Sequence, residues 1–291
     1  MPKVLTLRDL LDNPWGQATP SEQLFGVEIE VENVRHYINS PYWGRHEDGS
    51  LRNRGMEFVT PPVSMKNVSR ALDTFYKAMA KYKYVTSLRT GMHVHLDCRS
   101  RTIDQIKALA AVYCALEPVL VRDFCGIERL NNIFCVPWYR GTDEVAALNR
   151  LGDASNHRAA RVAIDGFVKY TSMNFSSLYR FGTAEFRAAP TFETYREAKE
   201  WVEILGAVAE YADRHTLADV ITQADEDIAG LAFAITGKTL TRADEIFIDS
   251  CDSVGVASML LPSDDMDCWA KPRMIETGVL EPHQQPRARR R

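Results

Sequence analysis

The 291-residue chain has no run of about 18 consecutive apolar residues, so no segment reads as a bilayer-spanning helix. It has no excess of one charge. Its 35 Lys and Arg face 39 Asp and Glu, a net −4 without the basic field that nucleic-acid or membrane-surface binding draws on. No Cys-x-x-Cys pair occurs among Cys98, Cys114, Cys125, Cys135, Cys251 and Cys268, which argues for free, buried thiols and against a cysteine-built zinc site. The Gly-x-x-x-x-Gly-Lys-Ser/Thr loop is absent, and no Gly-x-Gly-x-x-Gly follows a strand. The N-terminal residues lack the apolar run and cleavage site of a signal peptide, so a cytoplasmic protein is expected. What remains is 45% hydrophobic and 25% charged residues, the balance of a globular enzyme. A chain this long buries roughly 75% of its unfolded surface, which excludes a disulfide mini-protein and a disordered regulator.

Residues 1–23 read as an N-terminal arm, interrupted by Pro14 and Pro20. From Phe25 the pattern alternates: Phe25, Val27, Ile29 and Val31 on one face, Glu28, Glu30 and Glu32 on the other, which is a strand. Asp48-Gly49-Ser50 is turn chemistry, followed by a short strand over Met56–Val59 that Pro61 and Pro62 end. Val68, Leu72, Phe75 and Met79 predict an amphipathic helix over 64–83, and Met92 to Cys98 alternates as a second long strand. Thr102 with Gln105 forms a capping box for a helix over 103–124, kinked or broken at Pro118. Asn131 to Tyr139 reads as extended, 142–166 as short helices. Residues 170–178 and 183–189 read as a hairpin turning at Arg180-Phe181-Gly182. Beyond Phe192 the pattern is helical, clearest over 194–214, and fades after Leu261 towards a basic tail at 281–291. The order predicts one α+β domain with a helical C-terminal portion over 216–280.

Three strands place polar residues two apart, so each pair shares a face: Glu28/Glu30, His93/His95 and Glu185/Arg187. Glu57 and Asn174 join from two more strands. Each pair alone reads as the solvent face of a sheet or a surface ion pair. Gathered on one face, they make a surface too charged for a core, because unpaired buried charges cost several kcal/mol each. A divalent ion neutralises clustered carboxylates, and hard oxygen ligands suit Mg²⁺ or Mn²⁺.

These residues also carry a resemblance. Phe25-Gly26-Val27-Glu28-Ile29-Glu30 resembles the Phe-Gly-x-Glu-x-Glu strand of glutamine synthetases, and Gly91-Met92-His93-Val94-His95 their Gly-Met-His-x-His segment. Ala184-Glu185-Phe186-Arg187 is similar to their Glu-x-Arg strand. The segments 47–50 and 57–62, and Arg129 through Pro137, are more similar to the amidoligase family, a branch of the carboxylate–amine ligases that includes glutamate–cysteine ligase. In that segment Phe134 stands where tyrosine is usual. The resemblance spans about residues 24–215, the expected catalytic core. It implies a glutamine synthetase-like antiparallel sheet lined by acidic, His and Arg residues, with helices on its other face. It further implies an ATP- and Mg²⁺-dependent ligase that makes an amide through an acyl phosphate. By the same resemblance Glu28, His93 and Glu185 hold one metal, and Glu30 and Glu57, with Asp48, the second. Arg187 meets the transferred phosphate and Asn174 a bound substrate. His95 shares the face without an assigned ligand role.

The expected partners are a small-molecule or peptide carboxylate and an amine, with a modified nucleobase among the candidate acceptors. Arg45, Arg89, Arg129, Arg140 and Phe134–Tyr139 are candidates for substrate selection. A homo-oligomer is compatible with the ring assemblies of glutamine synthetases. Two rivals stand beside this reading: a metal-dependent hydrolase working without ATP, and a non-catalytic module of the same fold. Retention of every carboxylate and of Arg187 argues against the second. The basic tail reads as a solvated terminus in preference to a nucleic-acid contact.

Overall fold

The computed structural model describes residues 5–16 and 22–262. Cys268 and the basic tail lie outside them. Six strands form one antiparallel open sheet: β1 (Phe25–Val31), β2 (Gly44–Glu47), β3 (Met56–Val59), β4 (Gly91–Asp97), β5 (Met173–Asn174) and β6 (Thr183–Pro190). Their order is β2-β3-β1-β4-β6-β5, so the two long alternating strands occupy the centre. Helices α1 (Leu7–Leu10), α2 (Met65–Tyr82), α3 (Ile103–Leu120), α4 (Thr142–Gly152), α5 (His157–Ile164) and α6 (Ser177–Phe181) are interspersed. Helices α7 (Tyr195–Arg214), α8 (Leu217–Glu226), α9 (Ile228–Thr236), α10 (Arg242–Cys251) and α11 (Ser253–Ser258) follow. No described helix is long and apolar enough to cross a membrane.

Alternation decides which face meets the helices. Phe25, Val27 and Ile29, Phe58, Met92, Val94 and Leu96, and Ala184 and Phe186 are all buried on one side. Phe58 meets Phe75 of α2 edge-on at 5.7 Å, and Phe186 meets Tyr113 of α3 at 5.0 Å. The buried stretch of α3 runs unbroken from Ile106 to Leu120, because α7, α8, α10 and α11 pack on its remaining sides. Four of the described cysteines, Cys98, Cys114, Cys125 and Cys135, sit buried as free thiols, and Cys251 is half-buried and free.

Four local expectations change. Helix α3 continues through Pro118, and its hydrogen-bond pattern alters only at a π-helical turn over Val121–Cys125. A proline in the last turn forfeits one bond, and burial on all sides holds the helix together. Of the expected hairpin over 170–189, the antiparallel pairing of β5 with β6 is present, but the first strand shortens to two residues and α6 takes the place of the tight turn. Asn174 Oδ1 accepts the Ser176 amide at 2.8 Å and turns the chain, and Gly182 closes α6 at φ 71°. Residues 127–140 coil through 3₁₀ turns at Ile127–Asn131 and Trp138–Arg140, leaving only a single bridge, Val136 to Thr171. Strand β2, exposed throughout, has no apolar alternation to announce it.

Among the described residues one acid, Glu117, lies wholly inside. Glu117 of α3 accepts the Trp138 amide at 2.7 Å, the Tyr139 amide at 3.3 Å and the Ser172 hydroxyl, fixing the coil that carries β5. Burial pushes its carboxyl up to about 8, against these bonds. Its folded value lies above the unfolded 4.5, so the native state holds the extra proton and stability falls as pH rises from 4.5 to about 8. Glu117→Gln should flatten that slope in urea denaturation series; an unchanged slope contradicts the assignment.

Candidate functional site

The opposite face of the sheet gathers the predicted polar residues by register. Glu28 stands across from His93, Glu30 from Glu57, and Glu185 from both His95 and Asn174. Gly26 opposes His95; a Cβ on that glycine would lie 3.3 Å from the histidine Cβ, so the bare strand makes room for the ring. On β6 a bulge sets Arg187 and Ala188 opposite His93 alone. Arg129 reaches up from the 3₁₀ turn to fasten it. Its guanidinium donates to the carbonyls of Ala188 at 2.7 Å and of Arg187 and Ala189 at 3.1 Å each.

At the centre His93 Nδ1 lies 3.3 Å from Glu28 Oε2 and 3.5 Å from Glu185 Oε1. His95 Nε2 meets Glu28 Oε1 at 3.0 Å, and its Nδ1 meets Thr183 Oγ1 at 2.9 Å. Arg187 Nη1 donates to Glu185 Oε1 and lies 3.4 Å from His93 Nδ1, while Asn174 Nδ2 holds Glu185 Oε2 at 2.8 Å. Glu28, His93 and Glu185 each offer a ligand atom, all within 4.8 Å of one another. Among the described residues no other His, Cys, Asp or Glu trio does so. Two carboxylates and an imidazole are a donor set that fits a divalent cation such as Mg²⁺ or Mn²⁺.

The charges are strongly coupled. Burial opposes ionisation of Glu28, yet its bonds to His93 and His95 outweigh it and hold the carboxyl well below the usual range. Burial also opposes ionisation of Glu185, and Arg187 with the two histidines pulls it below its ordinary value. Desolvation would lower His95, but Glu28 and Glu185 raise it. Glu57 is pushed up to about 8, first by burial and then by its bond to Glu28 and the charges of Glu28, Glu30 and Asp48. Glu30 is raised by burial against the pull of His93 and of the Gly91 amide, which donates to its Oε2 at 2.7 Å. Carboxyls crowded to this degree are what a cation relieves.

Two hollows flank the cluster. A cleft of about 460 Å³ opens at the Glu28–His95 end, walled by Trp15, Phe25, Pro62, Arg180 and Phe181. Trp15 comes from the N-terminal arm, which the Thr6–Thr102 bridge and the Leu7 amide on the Arg101 carbonyl at 2.7 Å tie to the chain before α3. A pocket of about 80 Å³ lies at the Glu30–Arg187 end, lined by Asp48, Arg89, Arg129, Lys169 and Tyr170 among others.

The structure thus brings together Glu28, His93, His95, Glu185, Arg187 and Asn174, with Glu30 and Glu57 beside them and Asp48 across the small pocket. Asn174 is buried and spends its amide on Glu185 and Ser176. Of the proposed selectivity residues, Arg89, Arg129 and Phe134 line the small pocket. Arg45 stacks over Tyr37 at 3.7 Å, and Arg140 binds Asn131 Oδ1 at 3.1 Å. Sequence reasoning missed Trp15, Thr183 and the strap role of Arg129; only the arginine stood in a segment with any motif.

Fold and site together define a mixed α/β protein whose open antiparallel sheet carries a carboxylate–histidine–arginine cluster on the face turned away from α2 and α3. The family model described as "Putative amidoligase enzyme" matches residues 35–209, and the chain belongs to that family. The match takes in Asp48, Glu57, His93, Asn174, Glu185 and Arg187 and begins beyond Glu28 and Glu30. No curated protein matches the chain.

Arg129→Met should destabilise the fold by about 1–3 kcal/mol for each carbonyl left without a donor, measured by urea denaturation. A change below about 0.5 kcal/mol, typical of an ordinary surface substitution, contradicts the strap.

Proposed function

We propose that the protein is an ATP- and Mg²⁺-dependent carboxylate–amine ligase working on a glutamine synthetase-like sheet. The observation that carries this is the Glu28–His93–Glu185 trio with Arg187 bonded to its edge. Glu28, His93 and Glu185 would hold one divalent ion, and Glu30, Glu57 and Asp48 are the candidates for a second. Held there, such ions would supply the positive charge that offsets the phosphates during phosphoryl transfer.

The remaining steps belong to the acid, the nucleotide and this chain's side chains. A carboxylate oxygen attacks the γ-phosphorus, ADP leaves, and the acyl phosphate forms. The amine nitrogen then attacks the acyl carbon, inorganic phosphate leaves, and one proton passes from nitrogen to the phosphate or an acidic side chain. Arg187 supplies a fixed cation beside the transferred group, and Asn174 and Arg187 together lock the Glu185 rotamer. The 460 Å³ cleft, within the usual range for ligand sites and walled by Trp15 and Phe181, suits the nucleotide. The 80 Å³ pocket is the size of a small acidic group.

Hydroxylamine replaces the unknown amine in the test. Incubated with ATP, Mg²⁺ and a panel of acids, the protein should yield hydroxamate with equal ADP. Glu185→Gln should lower that rate by about 10²-fold or more, as loss of a charge-stabilising group does. Product that forms without ATP would favour a hydrolase on the same surface, and a wild-type rate in the variant would contradict the role of Glu185.

A further inference from the structure

Asn174 stands on a very short strand. β5 has two residues, lies at the edge of the sheet and pairs there with β6, and the Val136 bridge meets the chain just before it at Thr171. So short a ladder cannot alone hold a side chain to the roughly 0.5 Å that a working site needs. Yet Asn174 Nδ2 donates to Glu185 Oε2 at 2.8 Å, and the Ser172 carbonyl accepts the Arg187 amide at 2.7 Å. Both groups that grip Glu185, Asn174 and Arg187, therefore depend on where residues 172–174 lie.

Glu117 reaches that segment from α3. It is the one acid in the buried run from Ile106 to Leu120, where leucine would fill the space without the cost of desolvating a carboxyl. Its Oε2 accepts the Trp138 and Tyr139 amides, which begin the 3₁₀ turn Trp138–Arg140. Capping that turn takes only one oxygen. The other, Oε1, accepts the hydroxyl of Ser172, itself 1% exposed. Trp138, fixed by the same carboxyl and fully buried, donates its Nε1 to the Met173 carbonyl at 2.8 Å. One carboxyl thus holds Ser172 directly and Met173 through an indole, and Asn174 is the next residue. We infer that Glu117 is a positioning residue for the polar cluster: through Ser172 and Trp138 it fixes β5, and the fixed β5 aims Asn174 and Arg187 at Glu185. What Arg187 and Glu185 then do rests on the ligase reading; how they are held rests on these contacts.

Ser172→Ala separates this role from the cap, because Glu117 keeps both amides and loses only its link to β5. Glu117→Gln is the conservative variant, retaining an acceptor for the amides and a polar group for Ser172. Leu231→Ala, a core truncation on α9, which packs on α7 and α8, serves as the control for lowered Tm. Nuclear magnetic resonance on the metal-free full chain follows the Arg187 backbone amide and the Asn174 side-chain amide. In Ser172→Ala the first should lose protection from exchange and the second should shift towards a free amide. Both should stay in place in Leu231→Ala and largely in Glu117→Gln. In the hydroxamate assay Ser172→Ala should lower kcat by about tenfold or more with the KM for ATP unchanged, the pattern of a displaced supporting group. Unmoved signals in Ser172→Ala, equal changes in Leu231→Ala, or moved signals with a wild-type kcat would each overturn the inference. Failure of the ligase reading looks different: wild type makes no hydroxamate with ATP, while the two amides still respond to Ser172→Ala and not to Leu231→Ala.

Discussion

Everything on the polar face depends on how Glu28 is held. Its two oxygens meet two histidines from the neighbouring strand, and that pairing keeps a largely buried carboxyl ionised where burial alone would neutralise it. Glu185 repeats the arrangement with Arg187 and Asn174. Between them the two glutamates and His93 define a space bounded by donor atoms. The ionised Glu28 is favoured by its histidines, whereas burial and then the neighbouring Glu28 charge push Glu57 the other way, so neighbouring carboxyls on one sheet shift in opposite directions. A surface with this much unequal charge is a poor way to stabilise a fold and a good way to hold a cation and phosphate groups.

The apolar face makes that possible. Strands β1, β4 and β6 bury every other residue against α2, α3 and α7, so the residues between are fixed to within the rigidity of a packed sheet. The bulge in β6 is the one departure from regular pairing near the cluster, and it is braced twice. Arg129 takes its carbonyls, and the Arg187 amide donates to the Ser172 carbonyl at 2.7 Å, on the segment that Glu117 fixes from inside α3. A fully buried acid and a buried arginine, neither in the cluster, therefore set where Arg187 points.

The sequence made the centre of this site legible because strand periodicity is strict. Once Glu28/Glu30, His93/His95 and Glu185/Arg187 are known to alternate with apolar residues, their common face follows from geometry. That the chain mixes helices with an antiparallel sheet was readable for the same reason. What failed was short-range: Asn174 turns the chain with its own side chain, and Pro118 is tolerated because tertiary burial outweighs a lost bond. The walls of the hollows were illegible for another reason. Trp15 and Lys169 sit in turns far apart in the chain, where no period marks which side chains converge.

The central claim is that Glu28, His93 and Glu185 form a divalent-cation site. Titration of Mn²⁺ into the protein, followed by electron paramagnetic resonance, tests it without any substrate. The account predicts saturable binding that Glu28→Gln weakens by at least about tenfold, a loss comparable to that seen for groups supporting metal ligands. Binding of equal strength in wild type and variant would contradict it.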